Sequence, residues 1–179
     1  MLDYLFMIIV LMGVAGSGKT TIGRLLAADL GWPFFDGDDF HPQASIDKMR
    51  RGIPLIDADR VPWLDALNRL IRDVAGEGRN AVIACSALKQ AYRDRLKAGA
   101  ADVRFVHLRG DAPLMQRRLE ARPEHFMKSG MLASQLDALE EPADALIVDA
   151  AEESKSIVAW IRRAFGLHPP PPSHPDTAS

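Results

Sequence analysis

The chain has 179 residues, 47% of them apolar and 26% charged, with a formal net charge of −2. That length fits one domain with room for a substantial core, and the ordinary composition excludes a disordered or fibrous chain. The near-neutral charge excludes a general binder of nucleic acid or anionic membrane, so basic residues must act locally.

Residues 5–12 (LFMIIVLM) form an apolar run suited to a buried parallel strand. The run falls far short of the about 20 residues a spanning helix needs, and it lacks the flanks of a secretory leader. Gly13-Val14-Ala15-Gly16-Ser17-Gly18-Lys19-Thr20 follows at once, a G-x-x-x-x-G-K-T phosphate-binding loop. In such a loop Gly13, Ala15, Gly16, Ser17, Gly18 and Thr21 offer backbone amides to a nucleotide. Lys19 reaches the β/γ-phosphates and Thr20 ligates Mg²⁺. A glycine-rich turn that binds nothing is the alternative, and the flanks weigh against it. Ile22, Leu25, Leu26 and Leu30 recur at helical spacing until Gly31 and Pro33, giving the order strand, loop, helix.

Residues 33–36 (PFFD) predict a second strand, and 45–51 a short helix with Ser45 as N-cap and Gly52 as its stop. Pro62 marks the start of the next helix, which carries Leu64, Leu67, Ile71 and Val74 and ends at Gly76. Residues 80–85 (NAVIAC) are a third strand and 88–97 a helix with Leu88, Ala91, Tyr92 and Leu96 on one face. A fourth strand covers 103–108 and a basic helix 113–122; 131–139 is helical, 145–148 a fifth strand and 154–165 the closing helix. Residues 168–179 (HPPPPSHPDTAS) read as a disordered, proline-rich tail. Alternation of this kind predicts an α/β fold: three layers, with a five-stranded parallel sheet between helices.

Ligands in such sheets bind beyond the carboxyl ends of the strands. The phosphate loop, the acids after the second strand and the segment after the third all reach that edge, with the glycine cradle and Asp38 expected at neighbouring strand ends around a common cavity. Asp36 and Asp38 suit the two acidic tasks of phosphoryl transfer, completing a Mg²⁺ shell and positioning an acceptor hydroxyl. Arg60 offers a planar fork for a carboxylate or phosphate, or else pairs with Asp57 or Asp59. Arg117, Arg118 and Arg122 lie on the basic helix, where Arg118 and Arg122 share a face that could stabilise transferring charge. A solvated basic face is the plainer reading. The single Cys85, at a strand end, reads as an inert core residue and suits a reducing cytoplasm; no His/Cys spacing suggests a structural zinc. Trp32, Trp63 and Trp160 read as core or site-edge residues. The residues alone leave open a small-molecule kinase, a nucleotide kinase of the same fold, and a P-loop switch without an acceptor.

Five blocks narrow the choice: GVAGSGKT (13–20), FFDGDDFHP (34–42), KM..G.PL.D.DR.PWL (48–64), CSALK..YRD (85–94) and HFM...ML.SQL..LE.P (125–142). In this order and spacing the chain resembles the short P-loop gluconokinases, relatives of shikimate and adenylate kinases. The resemblance runs from about Val10 to Pro142. It implies a P-loop kinase domain over 1–167 with a small helical lid at about 115–133, and transfer of the ATP γ-phosphate to the 6-hydroxyl of D-gluconate with Mg²⁺. It assigns Asp38 to the acceptor hydroxyl as candidate base, Asp36 to the metal, and Arg60, His41, Lys89 and Gln135 to the polyol. Arg118 and Arg122 match lid arginines, and His125, with Phe126 and Met127, belongs to the same cover. It is compatible with a cytoplasmic enzyme, with a homodimer, and with no nucleic-acid or membrane partner. Two positions depart from the family pattern: Ser45 stands where HPxxN has asparagine, and Ile56 where PLND has asparagine. Ile56 is therefore a candidate for altered acceptor preference.

Overall fold

The computed structural model describes residues 6–100, 102–121 and 130–168, the side chain at 130 excepted. Arg122, His125 and the tail from 169 onward lie outside the described residues. Five parallel strands, β1 (Ile8–Met12), β2 (Phe34–Asp36), β3 (Ala81–Ala84), β4 (Val103–Arg109) and β5 (Leu146–Asp149), form one sheet in the order β2-β3-β1-β4-β5. The α/β fold expected from the alternating pattern is the one observed. One detail is corrected: β2 is not the neighbour of β1, because β3 runs between them and pairs with both.

Successive side chains of a strand face opposite ways, and β1 is buried along its whole length. Ile9 and Leu11 enter one core with Ile22, Leu26 and Leu30 of α1 (Lys19–Leu30) and Ile157, Val158 and Ile161 of α7 (Ser154–Phe165). Ile8, Val10 and Met12 enter the other, with Trp63, Leu64, Leu67 and Ile71 of α3 (Asp57–Gly76) and Tyr92 and Leu96 of α4 (Gln90–Lys97). Two apolar layers therefore fix the plane of the sheet, and the loops at its carboxyl edge stay out of the core.

Several helix starts differ from expectation. The helix α2 spans Gln43–Arg50 and is preceded by Pro42, so Ser45 is no N-cap; it is buried in the first turn, its hydroxyl 3.4 Å from the Asp59 carbonyl. The helix α3 begins five residues before Pro62 and carries that proline in its second turn. Its start is set by Asp59, whose Oδ2 accepts from the Ile56 amide at 3.0 Å, a link that spacing from the apolar face could not reveal. After β4 come α5 (Ala112–Glu120), capped by Asp111, and α6 (Gly130–Ala138). Of the three tryptophans, Trp63 is buried and Trp32 packs against the core, whereas Trp160 is 48% exposed, contrary to the reading of all three as core or site edge.

Candidate active site

The phosphate loop leaves β1 and turns directly into α1, so the unpaired amides of the helix start face the loop's hollow. Gly16 shows why the loop needs glycine: its φ is +83°, and a Cβ there would stand 2.8 Å from the Met115 carbonyl. Lys19 curls back over the loop, its Nζ donating to the carbonyls of Gly13 and Val14 at 3.0 Å each. From α6, Gln135 reaches the loop as well, Oε1 accepting from the Ala15 amide at 2.7 Å.

The loop divides two cavities. Ala15, Gly16, Lys19 and Thr20 line the first, together with Asp36, Asp38, His41, Arg60, Ser86 and Gln135. Ser17, Gly18, Thr21 and Arg118 line the second. Acids and phosphate loop thus share one cavity although their strands are not adjacent. The separation is bridged locally: the Thr20 hydroxyl donates to Asp36 Oδ2 at 2.7 Å.

The acids owe their placement to a 3-10 turn over Gly37–Phe40 that the sequence pattern did not reveal. Asp36 caps this turn, its Oδ1 accepting from the Asp38 amide at 3.2 Å, and the turn directs Asp38 to the cavity. Gly37 is the pivot, since a Cβ there would lie 2.4 Å from the Ala84 carbonyl. Trp63 fastens the turn from α3 by donating its indole N–H to the Gly37 carbonyl at 2.7 Å. The same indole stacks on His41, ring centroids 4.3 Å apart and planes 12° from parallel. Burial, and then the neighbouring Arg60 charge, hold the His41 imidazole down at a pKa of about 4. His41 is therefore neutral near pH 7.

Arg60 lines the cavity from α3, with Nη1 donating to the Leu55 carbonyl. Its nearest acid is Asp57 at 3.9 Å, and its guanidinium lies 5.8 Å from the centre of the Tyr92 ring. Lys89 is elsewhere: its Nζ grips both Asp57 oxygens at 2.9 Å, and it is not part of the cavity wall. Hydrogen bonds from Tyr92 and Lys89 hold the exposed Asp57 carboxyl below its ordinary pKa. Arg118 donates to the Ala150 carbonyl at 2.7 Å beside the second cavity, while Arg117 faces a separate surface hollow. Cys85 is fully buried with its thiol pKa pushed up to about 12, which makes it inert at neutral pH.

Sequence reasoning missed the apolar wall, Met49, Leu55 and Met131, which form a small cluster of their own against the cavity. Met49 and Leu55 lie in the 48–64 block and Met131 in the 125–142 block, but an apolar residue type carries no sign of the cavity it lines. Ile56, the candidate for altered acceptor preference, and Ser45 both stand outside the cavity wall, the former 64% exposed. Among the described residues no group of three or more His, Cys, Asp or Glu is arranged to hold a metal. One hydroxyl and one carboxylate, Thr20 and Asp36, converge instead, hard oxygen donors of the kind Mg²⁺ takes when phosphates and water fill its remaining positions.

A family described as an AAA domain matches residues 8–143. A probable gluconokinase of Xenopus tropicalis is 45% identical over 173 residues, covering 87% of this chain and 91% of that protein. The thermosensitive gluconokinase of Escherichia coli K12 is 43% identical over 159 residues, covering 87% and 85%. Among solved structures, a sugar kinase from Janibacter sp. HTCC2649 superposes with a TM-score of 0.86 at 39% identity, over 92% of this chain and 96% of that one. A gluconokinase from Sinorhizobium meliloti 1021 does so with a TM-score of 0.77 at 37% identity, over 91% and 97%.

Proposed function

Because this chain belongs to the gluconokinase family, with kinase relatives covered along most of their length, we propose that it transfers the γ-phosphoryl group of ATP to the 6-hydroxyl of D-gluconate. The observation that carries this reading is the single cavity lined by Lys19, Thr20, Asp36, Asp38 and Arg60, which joins phosphate-binding and acceptor-binding groups.

In this reading the loop amides and Lys19 hold the β- and γ-phosphates, and Thr20 with Asp36 holds Mg²⁺. The metal, when bound, neutralises charge on the phosphate oxygens. Asp38 orients the gluconate 6-hydroxyl toward the γ-phosphorus and takes its proton as the new O–P bond forms. The bond from the γ-phosphorus to the β–γ bridging oxygen breaks, and ADP leaves. Arg60 faces the gluconate carboxylate or hydroxyls, and neutral His41 offers a polar edge to the polyol. Gln135 braces the loop at Ala15. Arg118 borders the Gly18 side, where it balances nucleotide charge. Lys89 stands outside the cavity wall, tied to Asp57. Arg122 and His125, in the lid assigned to about 115–133, complete the set of residues carried by the resemblance. The same reading extends to a homodimer acting in the cytoplasm. No helix among the described residues is long and apolar enough to cross a membrane.

ADP release measured across a panel of sugar acids, polyols and shikimate tests the acceptor. Gluconate is expected to stimulate release most strongly. No stimulation by gluconate, with turnover of another compound, would overturn the assignment. ATP hydrolysis indifferent to every acceptor would favour a nucleotide switch.

A further inference from the structure

Arg93 is fully buried, and its guanidinium is spent on backbone carbonyls and one side chain. Nη1 donates to the carbonyls of Ala87 and Leu88 at 2.9 and 3.0 Å; Nη2 and Nε donate to Gln90 Oε1 at 2.9 and 3.3 Å. The position is costly for an arginine. It closes the first turn of α4, where a positive charge opposes the helix dipole, and a buried guanidinium gives up its hydration.

The turn that Arg93 grips is strained. Ala87 has φ +45°, the one non-glycine residue at positive φ among the described residues. Such a conformation persists only where its surroundings enforce it. On one side of Ala87, Ser86 lines the cavity and its carbonyl accepts from the Gly13 amide at 3.2 Å. On the other, Leu88 lines the cavity and its carbonyl also accepts from the Glu140 amide at 2.9 Å. The turn is thus a piece of the cavity wall, following the strand that pairs with the Asp36 end of β2, and its shape is incompatible with what alanine prefers.

We propose that Arg93 is a positioning residue, whose fork holds the strained turn at Ala87 so that Ser86 and Leu88 keep their places in the acceptor cavity. Arg93 touches no reacting group; it acts through the two carbonyls. The inference rests on the gluconokinase reading only for the choice of assay acceptor.

Arg93→Lys keeps the charge but cannot bridge both carbonyls and Gln90 at once. With gluconate and MgATP, it is expected to raise KM for gluconate about 10-fold while KM for ATP moves less than about threefold. Adding Ala87→Gly removes the side-chain penalty at positive φ and is expected to recover at least about threefold of that loss. A residue that merely supports the fold would not be rescued this way. Hydrogen exchange over residues 85–90 gives a reading independent of any acceptor: faster in Arg93→Lys, slower again in the double variant. If Arg93→Lys does not fold, Gln90→Ala, which withdraws one partner of the fork, is expected to shift both readouts in the same direction by a smaller factor. Unchanged gluconate KM with unchanged exchange overturns the proposal, as does an equal rise in both KM values that Ala87→Gly leaves in place. Wild-type protein that ignores gluconate, but shows the exchange pattern, would sink the acceptor assignment and leave the clamp standing.

Discussion

The Thr20 hydroxyl donates to Asp36 Oδ2 at 2.7 Å, joining the helix after the phosphate loop to a strand two places away in the sheet. This bond spans β3 and brings two hard oxygen donors to the mouth of the loop. Asp36→Asn keeps the shape and removes the charge. It is expected to raise the Mg²⁺ concentration needed for half-maximal activity about 10-fold or more, with nucleotide affinity in the absence of metal little changed. A Mg²⁺ titration identical to the wild type would remove Asp36 from the metal site.

Asp38 lines the same cavity one turn further on, and its proposed task exists only during transfer. Asp38→Asn is expected to bind ATP normally and to lose turnover by roughly 10²-fold or more. Calorimetric binding beside steady-state kinetics separates the two. Near-normal kcat would show that another group accepts the proton.

The 3-10 turn carrying Asp38 leans on Gly37 and Trp63. In Gly37→Ala the new Cβ meets the Ala84 backbone carbonyl, which has no freedom to withdraw. A stability loss of about 1–3 kcal/mol is expected, together with a fall in kcat as Asp38 moves. Trp63→Phe keeps an aromatic face for His41 and strands the Gly37 carbonyl, at a cost of about 1–3 kcal/mol. Thermal melts of both variants check the figures; wild-type stability in either would mean the turn relaxes freely.

His41 predicts a dependence of stability on pH. Burial and Arg60 hold its folded pKa at about 4, below the 6.5 of a free imidazole. Above about pH 6.5 both states are neutral and the group contributes nothing. Between there and about pH 4 the unfolded chain binds a proton that the folded chain refuses, so stability falls as the pH drops through that window. His107, also lowered by burial, acts in the same direction and serves as an internal constant. The melting temperature of His41→Gln should therefore fall less between pH 7 and pH 5 than that of the wild type. Equal falls would show that His41 is already solvated in the fold.

Hydrophobic spacing was enough to expose all five strands and most helices, because β1, β3 and the inner faces of α1, α3 and α7 are filled by unbroken or periodic apolar residues. Where something other than the apolar face set a boundary, spacing failed: the Asp59 carboxylate starts α3 before Pro62, and the backbone at Pro42 starts α2 before Ser45. Asp36, Asp38 and Arg60 were legible as candidates for one cavity, the two acids by their type and strand end and Arg60 by its type. Met49, Leu55 and Met131 were not, since an apolar side chain says only that it is buried, not against what.

The sequence by itself determined the phosphate loop, the α/β alternation and the family, because each rests on local residue order: glycines where backbone must curl, apolar runs where strands must be covered. Only the tertiary structure decided that β3 stands between β1 and β2, that Lys89 faces Asp57 rather than the cavity, and that a buried arginine grips the Ala87 turn. Those are outcomes of long-range packing, in which groups dozens of residues apart compete for the same space and the same hydrogen-bond partners, and no local pattern records who wins.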